Sequence, residues 1–167
     1  MKTPLLLVLL CSSLAAGATS DSSESITTNN ASPDGRFMAQ ILSKRAEFTE
    51  DTVTVTSRQS GARSEFPMTS EGGGNGRHVL KSEWSPDSKF FVFSTSSSGG
   101  HSVWNAKTFV YSVDANKFIS VDEKVRSVTD EDFQLLPPHT LQVETLNASG
   151  IDYPSMKRTI DLATLFR

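Results

Sequence analysis

Three histidines, His78, His101 and His139, are the side chains best suited by type to move protons near neutral pH. Their spacing makes no metal-ligand pattern, since no H-x-H, H-x3-H or H-E-x-x-H occurs. Two of them sit in polar loops. His78 closes the glycine-dense "SEGGGNGRH" from Ser70, and His101 lies in "STSSSGGHSVW", which ends at Trp104. The glycine stretch lacks the lysine of a phosphate-cradling P-loop and runs into a strand rather than a helix, so it reads as a connection. No G-x-S-x-G marks a nucleophilic serine. Carboxylates such as Glu71 and Glu83 could form a glycosidase pair only at a separation that folding must supply. Asp130, Glu131 and Asp132 lack the D-x-D-x-D-G calcium pattern and read as an acidic, helix-starting turn. No cofactor is expected. Asn75, Arg77, His78, His101 and Trp104 are the candidate binding edge, a set of donors, one imidazole pair and one indole that could grip a sugar or a peptide.

The elements that must hold these loops are strands. "MKTPLLLVLLCSSLAAGA", residues 1–18, has a basic start, a short apolar run and a small-x-small ending, which is the pattern of a secretory signal peptide. The run is too short to span a bilayer, so no stable membrane span is expected. Cleavage after Ala18 would leave about 150 residues, enough for one domain with a sizeable core. It would also remove Cys11, the one cysteine, which excludes disulfides, thiol catalysis and cysteine-ligated zinc from the remainder. The net charge of −3, with no long basic run, argues against nucleic acid as a partner. Thr19 to Asn30 is rich in Ser, Thr and Asn and reads as a disordered leader. From 31 to 167 the apolar period is two: Val53 and Val55 alternate with threonines, and Phe91 and Phe93 share one face with Val92 on the other. Strands are predicted at Arg36–Ser43, Thr52–Thr56, His78–Trp84, Lys89–Ser96, Thr108–Ser112, Lys117–Val121, Thr140–Leu146 and Arg158–Leu162. A short helix is predicted at Thr129–Leu135, stopped by Pro137-Pro138.

The folded part repeats itself. Ser32-Pro33-Asp34-Gly35-Arg36-Phe37 returns as Ser85-Pro86-Asp87-Ser88-Lys89-Phe90 at an offset of 53, and the strands after each copy match at an offset of 56. Proline presets φ at the second turn position, aspartate accepts local backbone donors, and glycine or serine closes the turn. Two units, at about 31–68 and 78–122, with C-terminal strands within 139–167, account for the chain. "EWSPDSKFFVFSTSS" and "SPDGRFMAQIL" resemble the TolB-type β-propeller repeat, in which a W-S-P-D-G-(K/R) turn leads into the strand nearest the core of each blade. Ala31 stands where the motif has tryptophan, and Ser88 where it has glycine. A closed propeller needs four to eight blades and this length holds three at most. The chain also resembles small secreted bacterial proteins with a "RHVL…EWSPDS" segment, a resemblance that carries no activity.

The expected fold is therefore all-β, two blade-like antiparallel units forming a β-sandwich or partial propeller, with one short helix. The expected role is a secreted or periplasmic, non-catalytic binding module whose partner is an envelope or extracellular protein or a glycan. Exposed sheet edges also allow a homodimer. The alternative is an extracytoplasmic hydrolase or glycan-binding enzyme using the loop edge 72–78 and 96–104.

Overall fold

The computed structural model describes residues 25–44, 50–66, 68, 76–97, 106–146 and 155–167. The chain is all-β. Its first unit is a four-stranded antiparallel meander of β1 (Ser25–Ala31), β2 (Phe37–Lys44), β3 (Thr52–Ser57) and β4 (Arg63–Phe66). A second meander follows with the same order: β5 (Arg77–Trp84), β6 (Phe90–Ser97), β7 (Lys107–Ser112) and β8 (Lys117–Ser120). After helix α1 (Asp122–Val125), a third sheet contains β9 (Gln134–Leu136), β10 (Thr140–Leu146) and β11 (Ser155–Asp161), and a 3-10 helix covers Leu162–Phe166.

Period-two patterning decides how the sheets stack. On β6, Phe91 and Phe93 point into a core shared with Ala39, Ile41, Val53 and Val55 of the first sheet. Phe90 and Val92 point the other way, against Val128, Phe133, Leu141, Val143, Ile160 and Leu162. The second sheet is thus the middle layer of three, buried on both faces. Its strand β6 shows the continuous apolar run that such a position demands, with Phe90 through Phe93 between 0% and 4% exposed. Each buried phenylalanine contributes about 1.5–3 kcal/mol. The aromatic contacts concentrate here, with Phe93 stacked on Phe109 at 5.3 Å between ring centroids and edge-on to Phe66 at 5.5 Å.

The duplicated turn is duplicated atom for atom. In both copies the serine hydroxyl donates to its aspartate at 2.7 Å and accepts the phenylalanine N–H at 3.0 Å. The fourth turn residue donates its N–H to the serine carbonyl in each, and takes the left-handed conformation, Gly35 at φ 72° and Ser88 at φ 63°. Glycine takes that φ at no steric cost. Ser88 takes it for a reason visible in the packing: its buried hydroxyl accepts the backbone N–H of Asp34 at 3.0 Å, so turn one is docked on turn two.

Three sequence expectations change. Ser25–Asn30, placed in a disordered leader, belongs to β1, because seven consecutive rungs against β2 satisfy its backbone and Asn30 is tied to the second unit. The helix predicted at Thr129–Leu135 is absent. Val128 and Thr129 add to the edge of β10 instead, with Thr129 N–H on Glu144 O, and β9 continues that line. Ladder bonds beside a buried sheet outweigh a weak capping signal; the helix that does form, α1, lies earlier. Leu162, the predicted strand's end, begins the 3-10 helix, capped by Asp161, whose carboxylate accepts the Ala163 N–H.

Candidate functional site

The loop edge is built at one end of the sheets. β5 begins at Arg77 and β6 ends at Ser97, and Arg77–Ser97 and His78–Ser96 are the first rungs of their ladder. The strand ends Arg77 and Ser97 thus lie side by side. Asn75, His101 and Trp104 lie outside the described residues; Arg77 and His78 lie at the root of the edge. Strand directions place the ends of β2 and β10 there too, since β2 leaves at Lys44 and β3 returns at Thr52, joined to β5 by the bond from Asp51 N–H to Arg77 O at 3.0 Å. The Ser-Pro-Asp turns occupy the opposite end.

Asp51 organises this root. It is 3% exposed, and one carboxylate oxygen accepts the Val79 N–H at 2.7 Å while the other lies 3.3 Å from His78 Nδ1. Arg77 reaches the Thr95 hydroxyl at 3.4 Å. The His78 side chain is 41% exposed, and Asp51 holds its Nδ1. An imidazole oriented by a buried carboxylate is half of a catalytic triad. The other half is missing among the described residues: no serine hydroxyl bonds His78, and neither described groove includes it. What the arrangement offers is a fixed hydrogen-bonding pair beside an arginine.

A second histidine cluster was not foreseen. His139 lies between two carboxylates, Nδ1 at 2.6 Å from Asp87 and Nε2 at 3.3 Å from Asp161, with its ring 5.3 Å from Phe90. Asp87 N–H donates to Pro138 O at 3.3 Å. This is a clasp between the second turn and the third sheet. Burial would push the Asp87 carboxyl up, but the Ser85 hydroxyl, His139 and the Lys89 N–H together hold it below the usual carboxylate range. Asp34, in the first turn, is held at about 2, chiefly by the Arg36 backbone N–H and further by the Ser32 hydroxyl and the Arg36 guanidinium, against slight burial. The signal for the clasp was present in the sequence: Pro33, Pro86 and Pro138 recur at intervals of 53 and 52, so His139 follows the third proline as Asp34 and Asp87 follow the first two.

The acidic stretch has a packing role. Lys81 Nζ bonds Asp132 at 2.5 Å and the Phe133 carbonyl at 2.6 Å, and lies 4.9 Å from the centre of the Phe133 ring. Among the described residues no group of three His, Cys, Asp or Glu side chains could hold a metal ion, and no helix is long and apolar enough to cross a membrane. Compared with known proteins, the chain matches no family model and no curated protein.

Proposed function

We propose that this is a secreted or periplasmic, non-catalytic interaction module with a TolB-like, blade-on-blade scaffold, binding an envelope or extracellular protein or glycan through the loop edge rooted at Arg77 and His78. One observation carries the reading: Arg77 and the Asp51-oriented His78 begin β5 beside the end of β6, on sheets packed on a shared core, and in the sequence these strand ends adjoin the stretches that hold Asn75, His101 and Trp104. Loops on a rigid β scaffold are where recognition residues gather. The lack of a serine partner for His78 among the described residues favours binding over hydrolysis.

The test places a photo-reactive amino acid at position 78 and, in a separate variant, at Lys117, which starts β8 at the turn end. Irradiation of expressing cells and their medium should give a discrete adduct from position 78 and none from position 117. Equal adducts from both positions, or none from position 78, refute the assignment.

A further inference from the structure

Among the described residues the third sheet has three strands where the first two have four, and the open edge has a definite address. In the first two units the third strand carries a fourth, β4 on β3 and β8 on β7. β9, β10 and β11 repeat the first three positions, with Val128 and β9 lying along one side of β10 and β11 along the other. The first rung of β6 on β7 is Phe90–Ser112, and that of β10 on β11 is Thr140–Asp161. By rung count, Arg158–Asp161 therefore correspond to Phe109–Ser112, the four residues that pair with β8. Among the described residues no strand pairs with that edge of β11. The chain itself turns away there, because Asp161 caps the 3-10 helix and Leu162 and Leu165 bury in the core.

A groove of about 310 Å³ involves the same residues: Arg158, Thr159, Ile160 and Asp161 line it together with Val125 and Thr164. Arg158 lines it with its Nε buried and, among the described residues, without an acceptor, while its Nη2 lies 4.0 Å from the Met156 sulfur. A buried guanidinium N–H without an acceptor is costly, and a carboxylate is the group it fits best.

We propose that this edge accepts an extended segment of a partner protein as a fourth, antiparallel strand, with an acidic side chain of that segment opposite Arg158. Main-chain bonds to the open edge supply affinity and the arginine supplies selectivity. Charge complementarity favours a foreign strand over a second copy of this chain. Self-pairing centred on β11 sets Arg158 against Arg158 of its mate, and like charges directly opposite are destabilising. Asp161, which also lines the groove, adds a reason for the acidic residue to sit opposite Arg158 rather than three residues on. This surface is separate from the loop edge, and neither assignment depends on the other.

The probe is the acetylated, amidated peptide TVEVT, titrated into isotope-labelled protein, with TVKVT as its charge-reversed control. The amide signals of Arg158 to Asp161 should shift, and their hydrogen exchange should slow, on adding TVEVT. TVKVT should bind about fivefold more weakly, the size of a cross-strand charge-pair preference. Arg158→Glu should invert the order of the two peptides, and Arg158→Gln should abolish the difference if the reversal impairs folding. Unmoved amides at 158–161, or equal response to both peptides in the unmodified protein, overturns the proposal. A concentration-dependent dimer that protects the same amides without peptide overturns it in favour of self-pairing.

Discussion

Replacing Ser85 by alanine removes the hydroxyl that closes the second turn, and the twin at Ser32 provides an internal control. Ser85 is fully buried; its hydroxyl donates to Asp87 at 2.7 Å and accepts the Phe90 N–H at 3.0 Å. The variant leaves a buried amide without its acceptor, costing about 1–3 kcal/mol, and loses a charge-assisted bond worth about 1.5–3 kcal/mol, part of which water recovers because Asp87 is about one-fifth exposed. A net loss of about 3 kcal/mol follows. Ser32→Ala breaks the same two bonds, but Phe37 is only half-buried and Asp34 keeps the Arg36 N–H and guanidinium, at 3.0 and 2.6 Å. Its cost should be about 1 kcal/mol. At about 2–4 °C per kcal/mol for a domain of this size, thermal unfolding by circular dichroism should show Ser85→Ala melting roughly 6–12 °C low and Ser32→Ala roughly 2–4 °C low. Urea titration supplies the free energies. Equal losses, or a loss below about 1 kcal/mol for Ser85→Ala, would refute the claim that burial and not the motif sets the worth of each turn.

Gly35→Ala should destabilise by about 1 kcal/mol in urea, wholly from the backbone, since its φ is 72° and an added Cβ meets nothing within 4 Å. His139→Ala opens the clasp and should cost about 2 kcal/mol, with faster amide exchange in β9 to β11 than in the first sheet. Trp84→Phe keeps a ring in the core but loses the bond from Nε1 to Asn30 O at 3.0 Å; a loss of about 1 kcal/mol, with selectively faster exchange in β1, is expected. Asp34 and Asp87 both have folded pKa values below their unfolded ones, so the stability they supply is complete above the unfolded value near 3.8 and is lost as pH falls through the folded values. Melting temperature should therefore drop below about pH 4, and Asp34→Asn should flatten the part of that curve extending towards pH 2.

The sequence by itself determined the local and periodic features of this protein. Alternation at Val53, Val55 and Phe90–Phe93 made the fold all-β, and the two Ser-Pro-Asp turns made it a duplication. These are legible because strand faces and turn conformations depend on residues within a few positions of each other. Tertiary structure decided what depends on distant neighbours. Ser25–Asn30 has no apolar stripe and becomes a strand only because β2 offers it six rungs, with a seventh at Ala31. Thr129 carries a helix-start signal, yet the edge of β10 claims its N–H. The third unit escaped detection because Pro138 is flanked by proline and histidine rather than serine and aspartate. His139 then takes its part by bridging Asp87 and Asp161, residues 52 and 22 positions away. Likewise, His78 was visible as a candidate, but Asp51, which orients it, was not, because nothing local links residues 27 apart. The spacing along the chain set which side chains could act; only the stacking of the sheets decided which of them meet.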